Sequence, residues 1–335
     1  MKEIGILGAG SWGTALAVHL ARAGHAVRLW AREGDVVEDM RSRRENRAFL
    51  PGVRLDDTIR PCAGFEEALA GVDLVVVVTP SHGTRAVIRS AAPSVHPSAT
   101  IVSATKGLEQ DTLFRASEVV AQELGPERPV VVLSGPSFAR EVAAGLPTAV
   151  CAASASQAAA ELVQAEFRGR AFRIYTTSDV VGVEIGAALK NVIAIAAGVV
   201  EGLGLGHNAM AGLVTRGLAE IARLASALGG RRETLAGLTG LGDLVLTCTG
   251  SLSRNRQVGI ELGRGRSLDE ILDGMTMVAE GIQTTHAALA LGSRVGVELP
   301  IAEQMAEVLS GRKNPRVATE ELMLRPQKVE VDARW

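Results

Sequence analysis

The sequence predicts an α/β fold in two parts: a mostly parallel sheet wound with helices over residues 1–178, then an all-helical part over residues 179–335. Three observations carry this reading. Short apolar runs bounded by turn residues recur through the first half, as strands buried on both faces do. A glycine triplet follows the first of these runs and opens a stretch of helical period. From Asp179 onward strand-like runs nearly vanish and helical patterns follow one another. A chain of 335 residues has the length for two domains at roughly 100–200 residues each.

The first run is 4–7, a short buried strand, and Gly8, Gly10 and Gly13 then stand at G-x-G-x-x-G spacing. Residues 14–23 read as a helix and 26–30 as a second strand. Strand, glycine turn, helix and strand on this schedule mark a dinucleotide-binding unit and a Rossmann-like domain. Gly8 allows the tight turn, Gly10 lets the backbone approach a pyrophosphate, and Gly13 lets helix and strand pack closely. The N–H groups at the helix start, with the positive end of its dipole, face that pyrophosphate. An NAD-preferring site places an acid roughly 20 residues beyond the fingerprint. Ala31 and Arg32 occupy that strand end, which favours a 2′-phosphate and NADPH; Glu33 and Asp35 nearby argue for NAD. The cofactor is therefore NADP or NAD, with NADPH favoured.

Residues 41–51 are charged and then turn-rich, 59–63 form a short strand, and 65–70 a brief helix. Residues 73–79 are the most strand-like run and belong at the sheet centre; Pro80, Ser81 and Gly83 break it into a loop. Residues 100–105 repeat the pattern and end in Lys106-Gly107, and 130–133 end in Ser134-Gly-Pro-Ser-Phe-Ala139. Loops at the carboxyl ends of parallel strands are where open α/β sheets bind ligands. Two further strands are expected at 148–152 and 172–176, with a helix at 156–167 between them. The second half reads as helices over 180–200, 208–228, 253–262, 268–272, 278–295, 301–309 and 319–324, and the residues from Pro326 as a frayed end. Gly202-Leu-Gly-Leu-Gly206 imitates a phosphate loop but follows a helix, so it reads as a flexible connection with Asn208 as the next cap.

The 47% hydrophobic and 21% charged content with net charge −2 is that of an ordinary soluble globular protein. No basic stripe interleaved with aromatics points to nucleic acid. The opening apolar run is interrupted by glycines and lacks a cleavage site, unlike a signal peptide. No run is expected to reach the length of a membrane span, since 192–200 is too short and follows Lys190. Cys62, Cys151 and Cys248 are far apart and not at metal-ligand spacing, which reads as buried thiols in a reducing, cytoplasmic compartment and no metal.

Arginine outnumbers lysine 30 to 5, so each lysine is informative. Lys106 and Lys190 sit in glycine-rich or apolar stretches, and lysine, unlike arginine, exchanges a proton once burial lowers its pKa. Gly186, Lys190 and Ala194 share one helix face, which leaves room for a ligand beside the lysine. Asn191 follows and can donate to a substrate oxygen. Leu238-Thr-Gly-Leu-Gly-Asp243 ends a glycine-rich turn in a carboxylate, and Ser251-Leu-Ser-Arg-Asn-Arg256 joins Arg254 to Asn255. This set suffices to hold a small phosphorylated carbonyl compound: Arg forks onto phosphate, Asn hydrogen-bonds to it, and Asp orients the lysine.

Gly8-Ala-Gly-Ser-Trp-Gly-Thr-Ala-Leu-Ala17, Thr105-Lys-Gly107, Ser134-Gly-Pro-Ser-Phe-Ala139, Lys190-Asn191, Gly240-Leu-Gly-Asp243 and Ser253-Arg-Asn-Arg256 together resemble the NAD(P)-dependent glycerol-3-phosphate dehydrogenase family, its bacterial soluble form most closely. The resemblance implies reversible reduction of dihydroxyacetone phosphate to sn-glycerol 3-phosphate, feeding glycerophospholipid synthesis. It implies Lys190 as the proton donor and acceptor. It implies Lys106, Gly135, Ser137, Asp243, Ser253, Arg254 and Asn255 as substrate contacts, and Ser11, Trp12, Arg32, Lys106, Ala139, Arg254, Val278 and Glu280 as cofactor contacts. Apolar faces in the helical part make a homodimer the expected assembly. Two other readings compete. A sister reductase for a 3-hydroxy acid or a ketopantoate-like substrate lacks use for the Arg254–Asn255 pair, and a dinucleotide-sensing regulator lacks use for Lys190 with Asp243.

Overall fold

Each of the eight apolar runs of the first half forms a strand in the computed structural model, which describes residues 1–275, 279–327 and 329–330. They are β1 (Glu3–Leu7), β2 (Ala26–Trp30), β3 (Ile59–Cys62), β4 (Leu74–Val77), β5 (Thr100–Ser103), β6 (Val130–Ser134), β7 (Thr148–Ala153) and β8 (Phe172–Thr177). One sheet joins them in the order β3-β2-β1-β4-β5-β6-β7-β8. Every pairing is parallel except β6 with β7. The order turns at β1, flanked by β2 and β4, and the crevice beyond the carboxyl ends at such a turning point is where these sheets bind ligands.

The runs are continuous because both faces of the sheet are covered. Ile4, Ile6, Leu74 and Val76 pack into one layer with Ala15, Leu16 and Leu20. Leu7, Val75 and Val77 pack into the other with Ile88, Ile101 and Val119. The helices are α1 (Ser11–Arg22), α2 (Gly34–Arg43), α3 (Phe65–Leu69), α4 (Ser81–Ala91), α5 (Ala116–Leu124), α6 (Ala139–Ala144) and α7 (Gln157–Glu166). The loop expected after β4 is α4: Pro80 caps it and the helix starts at once, because a proline at a helix start forfeits only an N–H that has no partner there.

The chain divides into two compact units, Met1–Glu109 with Phe114–Glu184, and Gln110–Leu113 with Ile185–Trp335. The division falls beyond the expected position of 178/179 because the first turn of α8 (Val180–Gly202) belongs to the sheet unit. Val183 packs on Val132, Cys151 and Ala153. Buried Glu184 accepts from Arg115 Nη1 at 2.9 Å, Ser117 N at 2.8 Å and Ser117 Oγ at 2.6 Å. Desolvation pushes its pKa up, and those donors oppose the rise.

The second unit continues α8 and adds α9 (Gly206–Ala227), α10 (Arg232–Leu235), a π-turn (Leu238–Gly242), α11 (Asp243–Thr249), α12 (Arg254–Gly263), α13 (Leu268–Leu272), α14 (Glu280–Val295), α15 (Pro300–Leu309) and α16 (Pro315–Met323). α8 and α12 cross at backbone contact through glycines. A Cβ on Gly198 would lie 2.0 Å from Arg256 O, and one on Gly259 1.9 Å from Ile195 O. One turn on, a Cβ on Gly202 would lie 2.3 Å from Ile260 O. Gly202 is thus a packing residue rather than part of a flexible connection. Asn208 lies inside α9, whose cap position is Leu205. At 23 residues and mean hydropathy 1.7, α8 is long and apolar enough to cross a membrane, contrary to the sequence expectation, and 89% of that apolar window is buried in the protein. A helix apolar on all sides is also what the core of a helical unit requires. The chain end expected to fray falls largely on residues 328 and 331–335, outside the described residues; within it, Glu330 pairs with Arg216 of α9 at 3.7 Å.

Candidate active site

The three fingerprint glycines meet three different constraints. Gly8 has φ +119°, and a Cβ there would lie 2.4 Å from Val78 O. A Cβ on Gly13 would lie 1.8 Å from Gly8 O, so helix and turn touch through it. Gly10 has nothing within 4 Å of a Cβ, which leaves its side open to an approaching ligand. It is also the cap residue of α1, with no side-chain cap and no acid in the first turn. The first N–H groups of a helix lack intrahelical acceptors, and with an open glycine beside them they fit a dinucleotide pyrophosphate. Ser11 donates its hydroxyl to Phe49 O at 2.6 Å, and Trp12 packs on the core of the sheet unit. Arg32 is exposed beyond the end of β2, its Nε and Nη2 on Glu33 Oε1 at 3.0 and 2.7 Å.

At the ends of β5 and β6 the fold brings Lys106, Gly135 and Ser137 together. Lys106 Nζ and Ser137 Oγ both donate to Gly135 O, at 3.2 and 2.9 Å. Gly135 has φ +137°, and a Cβ there would meet Val150 Cα at 2.9 Å, so the turn requires glycine. The Lys106 loop is tied down on both sides: Thr105 Oγ donates to Thr79 O at 3.0 Å, and Arg85 grips Glu109 at 2.7 and 2.6 Å. Ala139 opens α6 after this loop.

In the second unit Lys190 is 5% exposed, and its Nζ donates to Asp243 Oδ1 at 2.6 Å and to Thr247 Oγ at 3.0 Å. Thr247 donates to Asp243 O at 2.6 Å. The π-turn delivers Asp243 to the lysine, and such turns recur at functional sites. The space expected beside Lys190 at Gly186 is filled by the chain itself: a Cβ there would meet Thr239 O at 2.9 Å and Leu235 Cδ1 at 3.1 Å. Thr247 was missed from sequence because α11 was not expected. The available clue is the i, i+4 spacing of Asp243 and Thr247.

Asn255 joins three helices. Its Oδ1 accepts from Gly281 N at 3.0 Å, and its Nδ2 donates to Asn191 Oδ1 at 3.0 Å. Both ends of the Asn255 side chain are therefore engaged within the protein. Ser253 caps that helix, its Oγ accepting from Arg256 N at 3.2 Å. Arg254 is exposed; desolvation lowers its pKa from the guanidinium value, and the Glu280 carboxylate opposes this. Glu280 is in the first turn of α14, and Val278 lies outside the described residues.

Family models for NAD-dependent glycerol-3-phosphate dehydrogenase match twice, its N-terminus over residues 3–160 and its C-terminus over residues 179–320. A glycerol-3-phosphate dehydrogenase [NAD(P)+] of Geobacter sulfurreducens is 55% identical over 273 residues, 81% of this chain and 82% of that one. The Syntrophotalea carbinolica enzyme of the same name is 53% identical over 98% of this chain and all of its own. A crystal structure of glycerol-3-phosphate dehydrogenase from Coxiella burnetii superposes with TM-score 0.93 at 42% identity, covering 97% of this chain and 99% of the other.

Proposed function

Because the chain belongs to the NAD-dependent glycerol-3-phosphate dehydrogenase family, we propose that Lys190 is the acid–base group of its reaction. The enzyme reduces dihydroxyacetone phosphate reversibly to sn-glycerol 3-phosphate with NAD(P)H, in support of phospholipid synthesis. When bound, the nicotinamide cofactor supplies the hydride. The observation that carries the Lys190 assignment is its buried contact with Asp243 and Thr247. Two fixed acceptors hold the ammonium in one orientation. Lys190 then stabilises the developing alkoxide and gives it a proton, a step typically worth about 10²–10⁴-fold.

For the substrate we assign Lys106, Gly135, Ser137, Lys190, Asn191 through its amide N–H₂, Asp243, Ser253, Arg254 and Asn255. The exposed guanidinium of Arg254 suits a phosphate fork. For the cofactor we assign Gly8, Gly10, Ser11, Trp12, Gly13, Arg32, Lys106, Ala139, Arg254, Val278 and Glu280. Lys190→Ala should depress kcat by about 10²-fold or more in NADPH oxidation with dihydroxyacetone phosphate, with cofactor affinity unchanged. Near-normal turnover overturns the assignment. Glyoxylate and ketopantoate assayed in parallel separate this reading from that of a sister reductase.

NADPH is the favoured cofactor on this reading, because Arg32 stands exposed beyond the end of β2, where a 2′-phosphate would lie, and among the described residues is held by neighbouring Glu33. Arg32→Ala should raise KM for NADPH well above any change for NADH, and equal losses refute it. A cytoplasmic location is supported by Cys62, Cys151 and Cys248, all buried and free; burial pushes the first two thiols up to about 11 and the third to about 12. A homodimer is supported by Leu241, Val245 and Leu252, which the helical unit leaves exposed. Light scattering at twice the 34.9 kDa chain mass tests it.

A further inference from the structure

We propose that Asn46 is a positioning residue for the cofactor: it sets the peptide plane that presents the Gly10 N–H to the pyrophosphate. The inference rests on the reading of Gly8 to Gly13 as the dinucleotide loop. Asn46 lies in the irregular segment between α2 and β3 and is 1% exposed. Its Nδ2 donates to Ala9 O at 2.7 Å and to Thr14 Oγ at 2.8 Å, and its Oδ1 accepts from Phe49 N at 3.1 Å. The Phe49 N–H can meet only an acceptor, so the amide has one possible orientation, with both of its hydrogens turned to the glycine loop. Thr14 Oγ adds a donor to the same Ala9 carbonyl at 3.2 Å. Ser11 ties the loop a second time to this segment through Phe49 O.

The consequence follows from peptide geometry. In a planar trans peptide the C=O and N–H point in opposite directions. With the Ala9 carbonyl drawn toward Asn46 and Thr14, the N–H of Gly10 on the same peptide is turned away from them. Gly10 is also the loop residue whose side is open. Asn46 thereby keeps a donor pre-aimed at an anion, which otherwise would have to be ordered at the moment of binding. Aspartate could not replace it. It offers Ala9 O no donor, and it would set a negative charge behind the phosphate loop.

The test is NADPH binding to the whole enzyme without substrate, by calorimetry, alongside steady-state kinetics. Asn46→Asp should raise the Kd, and KM for NADPH with it, by about 10–100-fold, the range expected for losing a buried donor. At saturating NADPH, kcat and KM for dihydroxyacetone phosphate should stay within about threefold. Unchanged Kd, or a fall in kcat with Kd preserved, overturns the role. If Asn46→Asp does not fold, Asn46→Ser serves: its hydroxyl can still accept from Phe49 N–H but cannot reach Ala9, and the same loss of affinity is expected. Gly10→Val separates the two layers of the argument. If it leaves Kd unchanged, the loop reading fails and Asn46 with it. If it weakens binding and Asn46→Asp does not, only the Asn46 role falls.

Discussion

Asn255 donates its side-chain amide to Asn191 at 3.0 Å, and the direction of that bond is dictated from a third helix by the N–H of Gly281. Since Gly281 N–H requires Oδ1 of Asn255, Nδ2 must face Asn191, and Asn191 must answer with its oxygen. On the proposed assignment its N–H₂ is the group that meets the substrate. Asn255→Asp keeps the acceptor for Gly281 and removes the donor, so Asn191 should turn its carbonyl outward. We expect KM for dihydroxyacetone phosphate to rise by about 10–100-fold. In a double-mutant cycle, Asn191→Ala should be harmful alone and add little in the Asn255→Asp background. Equal costs in both backgrounds would show that the amide is not being oriented.

Lys190 is gripped by Asp243 and Thr247 with little solvent access, and the two grips differ in kind. Asp243→Asn leaves a buried ammonium without its counter-charge, a change that typically costs about 3–5 kcal/mol in stability. It should also lower kcat by about 10²-fold. Thr247→Val removes the hydroxyl that accepts from the ammonium and donates to Asp243 O but leaves the counter-charge in place, and should cost about 1.5–3 kcal/mol. Denaturant melts with steady-state kinetics measure both, and a larger loss for Thr247→Val would reverse the ranking.

Glu220 of α9 caps α15 from outside, its carboxylate accepting from Ile301 N and Ala302 N at 3.0 Å each. Burial pushes its pKa up to about 7 from 4.5, and the two backbone donors limit the rise. Native Glu220 therefore holds its proton over a range where the unfolded chain has lost it. Stability must fall as pH rises through that window, from about 4.5 to about 7, and level off above it. Thermal melts between pH 5 and 8 should show this slope, and Glu220→Gln should flatten it. A slope of opposite sign that disappears in the variant would refute the raised pKa.

The glycine crossing of α8 and α12 makes a steric prediction. Gly259→Ala places a methyl 1.9 Å from Ile195 O, against the backbone of α8, and should destabilise by about 1–3 kcal/mol or more. Gly212→Ala on α9 meets nothing within 4 Å and should instead stabilise by about 0.5–1 kcal/mol. Urea unfolding compares them directly. Similar values for the two would mean that the crossing yields to a methyl.

Much of this architecture is written locally. The eight strands, the glycine turn and the long helix bearing Lys190 follow from periodicity and turn chemistry within a dozen residues. The close approach at Gly13 was legible for the same reason, since it answers to Gly8 five residues before it, whereas Gly8 itself meets Val78 of a neighbouring strand end. α11 escaped because it is a seven-residue helix entered from a π-turn, with too few turns to show a period. Gly186 misled because a small residue on a helix face reads equally as room for a ligand or for another strand of backbone. Here Thr239 fills it.

Sequence alone determined which chemistry is on hand: a dinucleotide loop, two scarce lysines, and an arginine–asparagine pair. The tertiary structure decided what each group is free to do. It placed Asp243 and Thr247 on Lys190, used up both ends of the Asn255 amide, and turned Asn46 onto Ala9. Those partners lie between 26 and 64 residues apart along the chain. A hydrogen bond over such a distance leaves no local pattern, because its geometry exists only once helices and loops have packed.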